Sequence, residues 1–161
     1  MSHVLIIRSS GIAAGLRQFY LKSGWQVSVF SRQPADTANC NWFHYHSEQV
    51  LQAAHPQLQA QLASVFANEP PTVVFCCIGG LHDAGMQAEK NIRQLSAAGL
   101  TAALQTNTML PALWLQQLWP WLTKSPQIRL CWLSAKVGSI SDNQSGGWYS
   151  YRASKAALNM L

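Results

Sequence analysis

The sequence predicts an α/β fold, a doubly wound parallel sheet covered by helices on both faces, and three observations carry that prediction. Short apolar runs alternate with stretches of helical periodicity along the whole 161 residues. Several of the runs, such as Val4–Ile7 and Thr72–Cys77, are apolar on both faces, as strands buried between two helical layers must be. Glycine-rich or Pro-containing turns punctuate the alternation, and no repeat, low-complexity tract or linker interrupts it, so residues 1–161 read as one domain.

Taken in order, Val4–Ile7 is a first strand that ends in Ser9-Ser10-Gly11, and Ala13–Lys22 is a helix closed by Gly24. Trp25–Phe30 alternates as a second strand, and Trp42–Tyr45 is a weaker third. Ser47–Ala67 reads as one helix, with Glu48 in its first turn and Pro56 as an interruption. Pro70-Pro71 introduces the fourth strand, Thr72–Cys77, which Gly79-Gly80 stops. A helix follows from about Leu100 to Leu122 around Pro111. Ile128–Leu133 is the fifth strand, and Tyr149 opens a last helix toward Leu161.

Composition narrows the function classes. Hydrophobic residues make up 48% and charged residues 11%, a globular balance that leaves part of the surface to be covered by something other than water. The net charge of +5 comes from eleven basic residues scattered singly, with no basic run or helix face, which argues against nucleic acid. No apolar run is long enough to cross a membrane, and the N-terminal run is too short for a secretory signal. Cys40, Cys76, Cys77 and Cys131 show no CxxC spacing and read as reduced thiols in the cytoplasm. His44 and His46 share one face of a strand without a third ligand, so no metal site is expected.

Two constellations carry chemistry. The turn Ser9-Ser10-Gly11-Ile12 joins a strand to a helix N-terminus, where positive partial charge and a bare glycine backbone suit a dinucleotide pyrophosphate. The second strand then ends in Phe30-Ser31-Arg32, with no carboxylate to take a ribose hydroxyl. An arginine there suits a 2′-phosphate, so NADP is expected ahead of NAD. At the other end of the chain, Tyr151 and Lys155 stand four residues apart on one helix face. An ammonium beside a phenol favours the phenolate, so Tyr151 is expected below its ordinary pKa and fit for proton transfer at a carbonyl or alcohol.

These pieces, in this order, resemble the short-chain dehydrogenase/reductase family. Cys76-Cys77-Ile78-Gly79 stands where that family has Asn-Asn-Ala-Gly. Asn107 ahead of Leu110-Pro111 looks like its helix-bending asparagine, and Ser134-Ala135-Lys136-Val137-Gly138-Ser139 follows the fifth strand where its serine lies. The stretch from Val137 to Asn143 and from Gly146 through Tyr151-Arg152-Ala153-Ser154-Lys155 to Met160 is similar to the C-factor-like subgroup.

The resemblance implies a Rossmann-like sheet of order 3-2-1-4-5 and hydride transfer between NADP(H) and a small carbonyl or alcohol. It implies that Tyr151 protonates the carbonyl oxygen, that Lys155 tunes the tyrosine and holds the nicotinamide ribose, and that Asn107 places a relay water. A serine would hold the substrate oxygen, with Ser134, beside the family's position, as the candidate. Ser9, Ser10, Gly11, Ile12, Arg32, Gly79, Tyr151 and Lys155 would contact the cofactor. It implies further that the helices bearing the tryptophans pair with a second subunit in a homo-oligomer.

Four departures from the family pattern are visible. Ile7 and Ala13 replace two glycines of the turn. Ala135 stands at the serine position, with Ser134 and Ser139 flanking it. No acidic residue follows the third strand. The sequence given stops within the Tyr/Lys helix, so the last strands of the family are expected to be lacking, and the fifth strand would be an apolar edge bearing Ile128, Leu130 and Trp132. The alternative reading is therefore a catalytically weakened or inactive relative that acts through nucleotide binding or protein association.

Overall fold

The structure is a computed structural model and describes residues 2–35, 39–82, 86–144 and 146–161. Residues 83–85 of the segment after the fourth strand, too generic in sequence to assign a role, lie outside the described residues. Five parallel strands form one sheet in the order β3-β2-β1-β4-β5: β1 His3–Ile7, β2 Gln26–Ser31, β3 Asn41–His44, β4 Val73–Cys76 and β5 Arg129–Trp132. Each lies within a residue or two of its predicted span. The centre of the sheet is the most apolar part of the sequence, and all five residues of β1 are buried. His3 is the polar exception. Its ring bonds the Glu69 carbonyl (2.6 Å) and Ser28 Oγ (2.9 Å), and burial holds its pKa below the ordinary histidine value.

The chain divides into two compact units. The first, residues 1–77 and 114–132, contains the whole sheet. Its helices are α1 Ile12–Lys22, α2 Ser47–Leu51 and α3 Pro56–Phe66. The single helix expected over Ser47–Ala67 is thus two. Pro56 has no N–H to give a continuing helix, and it sits in the first turn of α3, where that N–H has no partner to lose. Ala54 takes a left-handed conformation (φ 52) between them.

The tryptophan-rich stretch is half resolved within this unit. Trp114 is fully buried and packs edge-on against Phe30 (5.2 Å) and Tyr45 (5.0 Å), while Trp119 remains 60% exposed. Gln117 ties the stretch down, donating to the carbonyls of Gln52 (2.9 Å) and Val50 (3.4 Å). A second subunit is therefore not what buries Trp114, although the resemblance assigned the tryptophans that role.

The second unit, residues 78–113 and 133–161, holds α4 Ala97–Leu104, the start of α5 Leu110–Leu122, and α6 Tyr149–Met160. Between α4 and α5 the backbone makes a π-turn over Gln105–Met109. The predicted helix around Pro111 is therefore interrupted before the proline. Short 3₁₀ turns lie at Ile92–Gln94 and Lys136–Gly138. Among the described residues, no helix is long and apolar enough to cross a membrane, and no three His, Cys, Asp or Glu side chains group to hold a metal.

Candidate active site

The second unit gathers the proton-transfer candidates around α6. Lys155 is only 3% exposed, and its Nζ donates to the Leu133 carbonyl (2.9 Å), just past β5. The same Nζ lies 6.0 Å from the centre of the Tyr151 ring. Two glycines make room for it. A Cβ on Gly79, whose φ is +153°, would stand 2.8 Å from Lys155 Nζ and 3.1 Å from Asn107 Oδ1. A Cβ on Gly138 would stand 2.8 Å from Lys155 Cβ and 2.9 Å from its backbone carbon. Neither position has space for a side chain.

Asn107 is completely buried at the middle of the π-turn. Its Oδ1 accepts from Gly80 N (2.8 Å) and its Nδ2 donates to Gly80 O (3.0 Å), so the amide is used at both ends to fix the backbone after β4. Thr108, the next residue, donates to the Ser154 carbonyl (2.7 Å) and pins α6 beside Lys155.

One expectation is corrected. The Tyr151 pKa is raised, not lowered, because burial penalises the phenolate. Desolvation decides the direction, while the Lys155 ammonium donates to Leu133. Ser134, the candidate for the substrate oxygen, donates instead to Asn159 Oδ1, and Asn159 in turn donates to the Gly138 carbonyl (3.3 Å). Asn159 is eight residues past Tyr151, about 12 Å along the helix axis. Ala135 caps the 136–138 turn with its backbone alone, and Ser139 Oγ accepts from Asp142 N (3.2 Å).

The first unit carries the phosphate candidate. Gly11 (φ 62) is the N-cap of α1, with no side-chain cap and no acidic residue in the first turn. A Cβ on it would meet nothing within 4 Å, so the backbone there opens on free space. This donor set fits the pyrophosphate of a dinucleotide. Ile12 is 65% exposed beside it.

Ser9 contributes backbone only, since its hydroxyl accepts from Ser31 Oγ (2.8 Å) and donates to Gln33 Oε1 (3.1 Å). Ser10 Oγ accepts from Arg8 Nε (3.3 Å). Ile7 is fully buried, paired with Phe30 and Cys76, so its bulk goes into the core. Ala13 is buried at the start of α1. Arg32 is exposed just after β2, and its carbonyl bonds His44 Nε2 (3.0 Å).

Sequence reasoning passed over two residues here. Arg8 takes φ 97, unusual for a side chain with a Cβ, and its charge partly offsets the burial that pushes Tyr45 to about 12 and Cys77 to about 11. Its signal was a lone arginine ending an otherwise apolar strand. Glu89 is 4% exposed and holds the start of α6 through Ser150. Only its rarity, among six acidic residues, marked it in the sequence.

Comparison with known proteins places this architecture. No family model matches. The chain is similar to 1-hydroxy-2-glutathionyl-2-methyl-3-butene dehydrogenase of Rhodococcus sp. (strain AD45), 34% identical over 80 residues, which is 50% of this chain and 34% of that one. It is also similar to C-signal of Myxococcus xanthus, 32% identical over 87 residues, 54% of this chain and 44% of that protein. The chain thus spans less than half the length of these curated relatives.

Among solved structures, a Streptomyces avermitilis short-chain dehydrogenase superposes over 100% of this chain and 58% of its own, with TM-score 0.76 at 16% identity. A Burkholderia multivorans protein, described as a short-chain dehydrogenase/reductase with bound NADP, superposes over 99% of this chain and 69% of its own, with TM-score 0.72 at 22% identity. The structures share the fold, a five-stranded parallel sheet of order 3-2-1-4-5 flanked by helices. On that fold and the two curated matches, the chain is a relative of the short-chain dehydrogenase/reductase family.

Proposed function

We propose that the protein is an NADP-dependent oxidoreductase acting between a carbonyl and an alcohol. One observation carries the reading: Lys155 is buried, held by the Leu133 carbonyl and walled by Gly79, on the same helix as Tyr151. A charged amine is brought out of water only where its hydrogen bonds are supplied, and the surrounding glycines keep that place clear. Bound nicotinamide would supply or accept the hydride. The chain's own part is proton transfer. Tyr151, protonated well past neutrality, gives its phenolic proton to the carbonyl oxygen in the reducing direction, and Lys155 stabilises the phenolate that this leaves. Asn107 acts by holding Gly80, and through Gly80 the backbone next to Lys155.

Ser9, Ser10, Gly11 and Ile12 are assigned to the cofactor phosphates through backbone N–H groups, and Arg32 to a 2′-phosphate, which gives NADP preference over NAD. A Burkholderia multivorans structure of the same fold carries NADP, which supports a nicotinamide cofactor. We place the protein in the cytoplasm, in keeping with four cysteines that show no CxxC spacing, and expect self-association.

A second reading, a relative with weakened chemistry, is favoured by Ala135 at the serine position and by the engagement of Ser134 with Asn159. A titration decides between them. NADPH and NADH are added to the purified protein while tryptophan fluorescence is followed. Micromolar NADPH binding that weakens at least tenfold in Arg32→Ala supports the first reading, and no binding of either at millimolar concentration overturns it.

A further inference from the structure

We infer that Glu89 is a positioning residue for Tyr151, supplying from a distant loop the cap that α6 lacks in its own sequence. The inference rests on the oxidoreductase reading for its catalytic consequence, but not for its structural basis. A helix leaves its first N–H groups without partners, and a local Ser, Thr, Asp or Asn ordinarily takes one. Here the N-cap is Trp148 in a left-handed conformation (φ 51, ψ 38), with no side-chain cap and no acid in the first turn. Glu89, 61 residues away from Ser150 in sequence, fills both roles.

The Glu89 backbone carbonyl accepts from Trp148 N (2.6 Å). Its carboxylate accepts from Ser150 N (3.4 Å to Oε1 and 3.3 Å to Oε2) and from the Ser150 hydroxyl. The carboxylate is buried, so it acts at the positive end of α6 with little solvent to weaken it. Gly147 permits the approach, because a Cβ there, at φ +76°, would stand 2.8 Å from the Glu89 carbonyl.

Glu89 is itself held in place. Lys90 N and Asn91 N both donate to Gln94 Oε1 (2.6 and 3.4 Å), while Asn91 Oδ1 accepts from Arg93 N (3.1 Å). Tyr151 follows Ser150 directly, so the first turn of α6 that Glu89 fixes is the turn that aims the phenol. Further along, Thr108 fixes the Ser154 carbonyl. The helix is anchored on either side of Tyr151 by residues from other segments.

The test compares Glu89→Ala and Glu89→Gln with Leu58→Ala, a core change in the other unit that lowers stability. Gln keeps Oε1, the oxygen that takes the Ser150 hydroxyl. Two readouts are taken: the ¹³Cζ resonance of Tyr151 in tyrosine-labelled protein, assigned with Tyr151→Phe, and NADPH-dependent reduction of 9,10-phenanthrenequinone. Glu89→Ala is expected to move the Tyr151 resonance and to lower kcat at least tenfold, with KM for NADPH within twofold. Glu89→Gln should restore most of both, and Leu58→Ala should alter neither.

A Tyr151 resonance unchanged in Glu89→Ala, or moved equally by Leu58→Ala, overturns the positioning role. If the unmodified protein reduces nothing, the oxidoreductase reading fails, and the resonance alone decides the role of Glu89. Should Glu89→Ala not fold, the comparison of Glu89→Gln with Glu89→Leu decides it by the same two readouts.

Discussion

Tyr151 and Lys155 share one helical face, yet their electrostatics differ from what spacing alone implies. Spacing shows which groups can meet, whereas the pKa depends on what else each touches. Lys155 spends a hydrogen bond on Leu133, and burial decides Tyr151. The cofactor-free Tyr151 phenol should therefore titrate above the ordinary phenol value near 10, read by ¹³Cζ NMR; a midpoint below it would contradict the structure. Tyr151→Phe should abolish reductase activity and leave NADPH affinity within about twofold, measured by stopped-flow turnover and fluorescence titration. His3 makes the opposite kind of prediction. Its folded pKa is lowered from 6.5, so the unfolded chain takes up the proton first on acidification. Its contribution to stability is complete above about pH 6.5 and is lost as the pH falls toward the folded value. The urea midpoint should drop between pH 7.5 and 5.5, and His3→Gln should flatten that slope.

The elements show where sequence was informative and where it was not. All five strands were legible, β1 and β4 as runs apolar on both faces and β2 by its alternation. The division of Ser47–Ala67 was signalled by Pro56 but required the first-turn rule to place it. The π-turn left no periodic signature, since one extra residue shifts the phase without changing composition. The anchors of α6 were invisible for another reason: Glu89 and Thr108 reach it from residues 61 and 46 positions away, and no local pattern encodes such a pairing. Gly79 stands against both Asn107 and Lys155. Gly79→Ala should cost roughly 1–3 kcal/mol through its backbone conformation alone and should displace Lys155 as well. Chemical denaturation checks the first, and loss of activity out of proportion to stability checks the second.

At the scale of the whole sheet, β5 is the last strand among the described residues. It pairs only with β4 among the described strands, and Leu130 is 43% exposed there. Sedimentation velocity over a hundredfold concentration range should show self-association, and Leu130→Lys should suppress it; a monomer throughout would count against edge pairing. The π-turn bears on how this lineage tolerates change in length. Its surplus residue sets the helix before and the helix after out of step, and excising Gln105 or Thr106 would restore a continuous 3.6-residue winding. Asn107 would then swing about 100° around the axis and release Gly80. The lesion would leave a protein still rich in helix, so far-ultraviolet dichroism would look normal although the packing of Asn107 on Gly80 was gone.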